Sequence, residues 1–336
     1  MLTSPSARAP FASVIIPTFN RADLLGETLD RLAAVRPALS RWEVVVADNN
    51  STDATRAVVE RRQAHFPVPL RYLFEPRQGR SWALNAAICA TDAPALVFTD
   101  DDVLVGDDWL DAAAEPLLYT RGISYTGGPV RPIWEAPRPG WLAADRADLW
   151  GTIAILDYGP DPFVFEERQR VPLGANMAVH RSLFDRIGLF NQTLGRTGDG
   201  KQLLGQEVPE FLARSRRAGA RGLYQPAMTV QHHVPAKRLT KEYFRRWWYG
   251  KGLSRAELDR LQPVTELGVD LSAARHIAGI PAFMFRSAGE DAVRWVAALA
   301  SGRPQDRFKH EMMLCYFAGY VARRRKAHRL SVAEVH

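Results

Sequence analysis

The stretch ALVFTDDDVLVGDDWL, residues 95–110, sets three aspartates directly behind an apolar run. ALVF does not alternate with polar residues, which is the pattern of a strand covered on both faces. Adjacent carboxylates repel, so Asp100, Asp101 and Asp102 at that strand's end call for a counter-charge. Working upstream, the same apolar-run-then-polar-cluster unit recurs. ASVIIPTF (12–19) reads as a buried strand stopped by Pro17, and RADLLGETLDRLAAVR (21–36) as a helix with Leu24, Leu25, Leu29 and Leu32 at helical spacing and Asn20 as its N-cap. EVVVADN (43–49) is a second strand. STDATRAVVERRQAHF (51–66) is a helix capped by Ser51 or Thr52. LRYLFE (70–75) is a third strand and GRSWALNAAICAT (79–91) a helix behind a glycine. Strands alternating with helices predict an α/β fold with a mostly parallel sheet and helices on both faces. Ligands of such sheets gather beyond the strands' carboxyl ends, where residues 18–21, 48–53 and 100–102 are expected to converge.

Downstream the pattern loosens. Residues 129–172, rich in Pro, Trp and Asp, are expected to be loops. MAVHRSLFDRIG (177–188) reads as a helix, EVPEFLARSRRAG (207–219) as a helix ending at Gly219, and GLYQPAMTVQHH (222–233) as a strand ending in two histidines. From about residue 236 the chain reads as helical. The expected division is an α/β domain over 1–235, with halves of about 12–110 and 111–235, and a basic, aromatic-rich helical extension over 236–336.

Composition sets outer bounds. The 336 residues are 46% hydrophobic, enough for a sizeable core. Two cysteines, Cys89 and Cys315, make no disulfide framework and point to a reducing compartment. The N-terminus lacks the apolar core of a signal peptide, and no stretch reaches the length of a membrane span, so the expected location is cytoplasmic. Residues 236–336 hold 19 Lys and Arg against 10 Asp and Glu, a net of +9, whereas residues 1–235 hold 25 against 27, a net of −2. An anionic partner for the tail, or a solvated basic face, both fit that asymmetry.

Two readings of the aspartates compete: a solvated turn or helix cap, and a hard divalent cation held by oxygen ligands. Strand alternation puts Asp100 and Asp102 on one side with Asp101 turned away. The segments SVIIPTFNRADLLGETLDRL, VVVADNNSTDAT, GRSWALNAA, VFTDDDVLVGDDWL and LGANMAVHRSLFDRIGLF, in this order, resemble family 2 glycosyltransferases of the GT-A fold, a Rossmann-like sheet architecture. The resemblance covers about residues 12–255. It implies that Pro17, Thr18, Asn20 and Arg21 form the loop holding the nucleotide, that Asp48 contacts the base, and that Arg77, Gly79 and Asn85 lie beside the ribose and diphosphate. Asp100–Asp102 match the DXD motif, with Asp100 and Asp101 on the donor and Asp102 on Mn²⁺ or Mg²⁺. Gly174, Ala175 and Asn176 fall near the donor sugar or acceptor. A UDP-sugar is the first expected donor.

The family's acidic pair, resembling G-E-D-x-E-L, corresponds here to GQEVPEFLAR (205–214), with Val208 in place of the central Asp. Glu207 is the favoured general base and Glu210 the second candidate. Both also suit the first turn of a helix, where acids complement the dipole. Gly195–Lys201 spells G-x-x-x-x-G-K, but Gln202 stands where a P-loop needs Ser or Thr. The resemblance further places His232 or His233 on the metal and Arg238 on the diphosphate. Imidazole suits Mn²⁺ better than Mg²⁺.

YFRRWWYGKG (243–252), Phe283–Met284–Phe285 and the basic run 323–326 fit either a buried helical subdomain or an anionic membrane surface at the inner face of the cytoplasmic membrane. The implied activity is metal-dependent, inverting transfer of a sugar from a nucleotide-sugar to a saccharide or lipid-linked hydroxyl in bacterial envelope or exopolysaccharide synthesis. A sugar-1-phosphate nucleotidyltransferase would need glycines where IPTFNR has none. A non-catalytic binding module leaves the aspartates unexplained, and those aspartates argue against a nucleic-acid partner.

Overall fold

The computed structural model describes residues 9–142, 147–195, 205–265, 269–300 and 304–333. Two compact units divide the chain: Met1–Arg131 with Asp157–Phe190 and Ala218–His232, and Pro132–Leu156 with Asn191–Arg217 and His233–His336. The units are therefore interleaved in sequence.

The chain begins β1 (Ala12–Thr18), α1 (Ala22–Ala34), β2 (Trp42–Asp48), α2 (Thr55–Gln63), β3 (Leu70–Phe74), α3 (Arg80–Cys89) and β4 (Ala95–Thr99). Next come β5 (Val103–Val105), α4 (Trp109–Tyr119), β6 (Ile123–Gly127), β7 (Val130–Trp134), α5 (Ala147–Trp150), β8 (Phe163–Val164), β9 (Asn176–His180) and α6 (Arg181–Ile187). The rest is α7 (Glu207–Arg217), β10 (Arg221–Tyr224), β11 (Val230–Val234), α8 (Lys241–Leu261), β12 (His276–Ile277), β13 (Ile280–Pro281), α9 (Ala282–Ala300) and α10 (Pro304–Ala333).

Eight strands form the main sheet in the order β3-β2-β1-β4-β9-β6-β10-β8. β1 to β4 are mutually parallel; β9 runs antiparallel to both β4 and β6, and β10 parallel to β6. Every residue of β1, β2 and β4 is buried, as their unbroken apolar composition predicts. β1 does not stop at Pro17. It pairs through Pro17 opposite Ala47 to Thr18 opposite Asp48, because proline's fixed φ is compatible with extended backbone and costs only one ladder donor.

Long-range bonds move several boundaries. Arg21, not Asn20, is the N-cap of α1, and Asn20 has φ 51°. The amide of Ala22 donates to Asp53 Oδ2 at 3.0 Å, and Asp53 Oδ1 accepts from the amide of Thr55 at 3.0 Å. One carboxylate thus serves the starts of both α1 and α2. Asn20 and Ser51 instead tie the two loops together: Thr52 N donates to Asn20 Oδ1 at 2.7 Å and Asn20 N to Ser51 Oγ at 2.9 Å. The expected helix over 177–188 splits into β9 and α6, with the His180 side chain accepting from Ser182 N. The expected strand over 222–233 breaks into β10 and β11 around Pro226, and residues 129–172 supply β7, α5 and β8 as well as loops.

In the second unit, α8 and α10 cross in backbone contact. A Cβ on Gly252 would fall 2.0 Å from the carbonyl oxygen of Tyr316, and one on Gly319 would fall 2.1 Å from that of Tyr249. Phe244 packs edge-on against Trp141, and both rings meet Phe308. Trp248 is buried and donates from Nε1 to Thr152 Oγ at 3.0 Å.

Candidate active site

The ends of β1, β2 and β4 and the segment before β9 meet at one rim of the sheet. Thr18 Oγ donates to Asp101 Oδ2 at 2.7 Å. Arg21 Nη1 donates to Asp101 Oδ1 at 2.9 Å and to Asp102 Oδ2 at 2.7 Å. Thr28, nearly two turns into α1, donates from Oγ to the backbone carbonyl of Asp101 at 3.1 Å. Arg80 Nη2 reaches Asp100 Oδ1 at 2.6 Å and the Gly174 carbonyl at 3.5 Å. Across β5 and β11, His232 Nε2 stands 3.5 Å from Asp102 Oδ1, both side chains buried.

This arrangement corrects the expected alternation. β4 ends at Thr99, so Asp101 and Asp102 sit in a turn where period-two projection no longer applies, and both carboxylates converge on Arg21. Burial, only partly opposed by Arg21 and reinforced by Asp102, pushes the Asp101 carboxyl up to about 6. Burial alone would lower the Arg21 pKa; Asp101 and Asp102 outweigh it and keep the guanidinium charged.

An Asp102 carboxylate oxygen and a His232 imidazole nitrogen side by side are the donor chemistry of a divalent cation such as Mn²⁺. Among the described residues no group of three or more His, Cys, Asp or Glu side chains gathers at ligand spacing. Two protein ligands completed by phosphate oxygens and water is an ordinary way to hold a nucleotide-bound cation, so Asp102 and His232 fit that role.

Around this rim the loop residues are fixed by one another. Asp48 is buried; Oδ1 accepts from Ser51 N at 2.9 Å and Oδ2 from the Tyr72 hydroxyl at 2.6 Å. Arg77 forms a two-pronged pair with Glu75 at 2.7 and 2.8 Å and stacks 3.8 Å from the Trp82 ring centre. Gly79, at φ 140°, takes a conformation that side chains rarely adopt and donates its amide to Asn49 Oδ1 at 2.7 Å.

Two of the expected residues turn their side chains into the protein. Asn85 is not turned to a ligand: Nδ2 donates to the Phe190 carbonyl at 2.8 Å and Oδ1 accepts the Phe190 amide at 3.0 Å. Asn176 is fully buried, donating to the carbonyls of Pro129 and Met228 and accepting from Trp109 Nε1 at 2.8 Å. Ala175 is buried beside it, leaving the Gly174 backbone as that segment's link to the rim.

In the second unit, Glu207 opens α7 and accepts from Gln206 N at 3.1 Å through Oε2. Glu210 is committed elsewhere: Arg214 grips both oxygens at 2.8 and 2.9 Å, and Gln262 Nε2 donates to Oε1. His233 projects from β11 opposite to His232, and Arg238 ends a single 3₁₀ turn, Ala236–Arg238. Residues 196–204, with most of the G-x-x-x-x-G-K spelling, lie outside the described residues.

Arg80, Thr28 and Tyr72 escaped the sequence reading. Arg80 adjoins Gly79 at the start of a helix behind the sheet's carboxyl rim, which is the one local signal for it. A surface cavity of about 450 Å³ lined by Arg121, His180 and Ser182 lies at the opposite rim, since His180 pairs with Ala95 at the start of β4.

Residues 13–188 match the family described as Glycosyl transferase family 2. The match takes in more than half of the chain, and the chain belongs to this family. Over 235 residues it is 29% identical to the succinoglycan biosynthesis protein ExoM of Rhizobium meliloti (strain 1021), spanning 68% of this chain and 70% of that protein. Over 135 residues it is 36% identical to validoxylamine A glucosyltransferase of Streptomyces hygroscopicus subsp. jinggangensis (strain 5008), spanning 38% of this chain and 32% of that relative's length. Among solved structures, mannosyltransferase PcManGT from Pyrobaculum calidifontis, in complex with GDP-Man and Mn²⁺, superposes with a TM-score of 0.61 at 20% identity, covering 94% of this chain and 87% of that one. At that identity the likeness is one of fold. The protein is a GT-A glycosyltransferase whose family transfers sugars from nucleotide-sugars.

Proposed function

We propose that the protein is a metal-dependent, inverting glycosyltransferase that moves a sugar from a nucleoside-diphosphate sugar to a hydroxyl of a saccharide or lipid-linked acceptor in envelope or exopolysaccharide synthesis. The observation that carries this is the carboxylate group Asp100–Asp102, held by Thr18, Arg21 and Arg80 with His232 against Asp102. Asp102 and His232 would hold a divalent cation, which would supply positive charge to stabilise the departing diphosphate. Arg21 holds Asp101 and Asp102 in place, and Arg80 does the same for Asp100. Asp48, an acceptor fixed by Tyr72 and Ser51, meets an N–H edge of the base. Arg77 and the loop at Gly79 sit with the ribose and diphosphate, and Arg238 is carried over from the family resemblance as a phosphate contact.

Glu207 takes the acceptor's proton. It is favoured over Glu210 because Arg214 and Gln262 already hold Glu210's oxygens. Attack opposite the leaving group inverts the anomeric centre. The name of ExoM supports polysaccharide synthesis, and the bound GDP-Man and Mn²⁺ of PcManGT support a nucleotide-sugar with a metal. UDP is the first donor to try and GDP the second. A location at the inner face of the cytoplasmic membrane goes with a lipid-linked acceptor. Among the described residues no helix is long and apolar enough to cross a membrane.

The test is transfer from a panel of UDP- and GDP-sugars to extracted lipid-linked acceptors, with and without Mn²⁺, reading product configuration by NMR. Metal-dependent transfer with inverted configuration is expected. Metal-independent transfer, or retained configuration, would overturn the reading.

A further inference from the structure

By composition the tail's YFRRWWYGKG stretch fits either lipid contact or a buried subdomain, and the fold turns two of its aromatic rings inward while Tyr249 stays exposed. Phe244 and Trp248 of α8 are buried, and α8 packs along α10 through the Gly252–Gly319 crossing. The helix that faces outward is α9. Of its 19 residues, only Ala298 is buried. Val293 is 70% exposed, Val296 59% and Leu299 45%. Phe285, Ala292, Val296 and Leu299 recur at helical spacing, and Gly289 and Val293 lie in the same sector, so one side of the helix is an apolar stripe without a charged residue. Arg286 borders it and Arg294 lies on the far side of the helix, both largely exposed and each reaching toward Glu290 only at 3.8 Å.

We propose that the apolar stripe of α9 is a membrane-docking surface, lying in the plane of an anionic leaflet with Arg286 at the phosphate level. This rests on the proposed lipid-linked acceptor only for its biological purpose. Charge decides the occupant: residues 236–336 carry a net +9, which attracts an anionic leaflet and repels a second copy of the same segment. The stripe also offers flat aliphatic side chains with small residues between them. It lacks the Trp, Tyr or Arg anchors that dominate protein–protein contacts, and its one aromatic, Phe285, is edge-packed on Phe317. A helix of this kind sinks its apolar side about 5–10 Å into the headgroup boundary without spanning the bilayer.

The experiment is co-sedimentation of the full chain with vesicles of phosphatidylcholine alone and of phosphatidylcholine with phosphatidylglycerol, without donor or acceptor. The variants are Val296→Asp combined with Leu299→Asp on α9, and Tyr249→Ser on the exposed side of α8. Binding to the phosphatidylglycerol vesicles is expected, weakened by salt. The α9 double variant is expected to bind about tenfold or more weakly with an unchanged melting temperature, and Tyr249→Ser to bind within about twofold of the parent. The proposal is overturned if the parent does not sediment with anionic vesicles or if the double variant sediments equally well. It is also overturned if the parent is a dimer that the double variant converts to monomer, which would make the stripe a self-association face. Because vesicle binding is read without turnover, a failure of sugar transfer would count against the proposed function and leave this result standing.

Discussion

Arg21 Nη1 lies 2.7 Å from Asp102 Oδ2 while also touching Asp101, so one guanidinium bridges two buried carboxylates. Removing it leaves them facing each other. Arg21→Ala is expected to lower stability by about 2 kcal/mol, between the exposed-pair and buried-pair limits, because Arg21 is itself partly exposed. Mn²⁺ should raise the variant's melting temperature more than the parent's. Asp102→Ala should abolish the joint stabilisation by UDP and Mn²⁺. A parent whose midpoint ignores both ligands, in thermal melts by fluorimetry, would refute the metal assignment.

Glu207→Gln should leave donor-induced stabilisation intact and lower kcat by about a hundredfold or more. Glu210→Gln should instead keep turnover and cost about 1–3 kcal/mol, because it breaks a charged pair with Arg214 in a buried setting. Single-turnover rates beside urea unfolding separate the two. A dead Glu210→Gln with a fully active Glu207→Gln would move the base.

Asp53 accepts from the amides of Ala22 and Thr55 at the starts of α1 and α2. Burial tends to raise its pKa, but the hydroxyl and amide bonds from Thr55 and Ala22 outweigh that and hold it below the ordinary 3.8. A depressed carboxyl stabilises the fold above its unfolded-state pKa, and that contribution is lost as pH falls through the folded-state value. Asp53→Ala should therefore cost about 1 kcal/mol at neutral pH, and less in acid where the parent loses the same bonds. Urea midpoints across the acid range give the answer; a constant difference between the two proteins would disprove it.

Replacing glycine by alanine inside a helix ordinarily stabilises it by up to about 1 kcal/mol. At Gly252 and Gly319 the sign should reverse, because the added carbon meets backbone oxygen. A loss of about 1–3 kcal/mol in each variant is expected from overpacking, measurable by denaturant titration. Gly289→Ala on α9, where nothing lies near the added carbon, is the control and should be neutral or stabilising.

The left half of the sheet was legible because β1, β2 and β4 are buried on both faces and therefore written as unbroken apolar runs. The rim was legible for a related reason: the polar clusters that follow such strands have nowhere else to be. What sequence hid were bonds between residues far apart in the chain. Nothing near Asn85 announces Phe190, 105 positions on, and nothing near Asn176 announces Trp109 or Met228. Asn20 offered a plausible local cap, but Asp53 from the next loop took that task. In the tail, composition marked α8 and α9 alike, and only burial told them apart.

Asp101 is held at three separate atoms, its backbone oxygen by Thr28 and its two carboxylate oxygens by Arg21 and Thr18. All three holders come from the single segment that leaves β1 and enters α1. The acidic rim is therefore held by its own fold. If it takes the donor as proposed, the ligand meets contacts already in place, so its affinity should track the integrity of the β1–α1 junction even for substitutions that never touch the ligand.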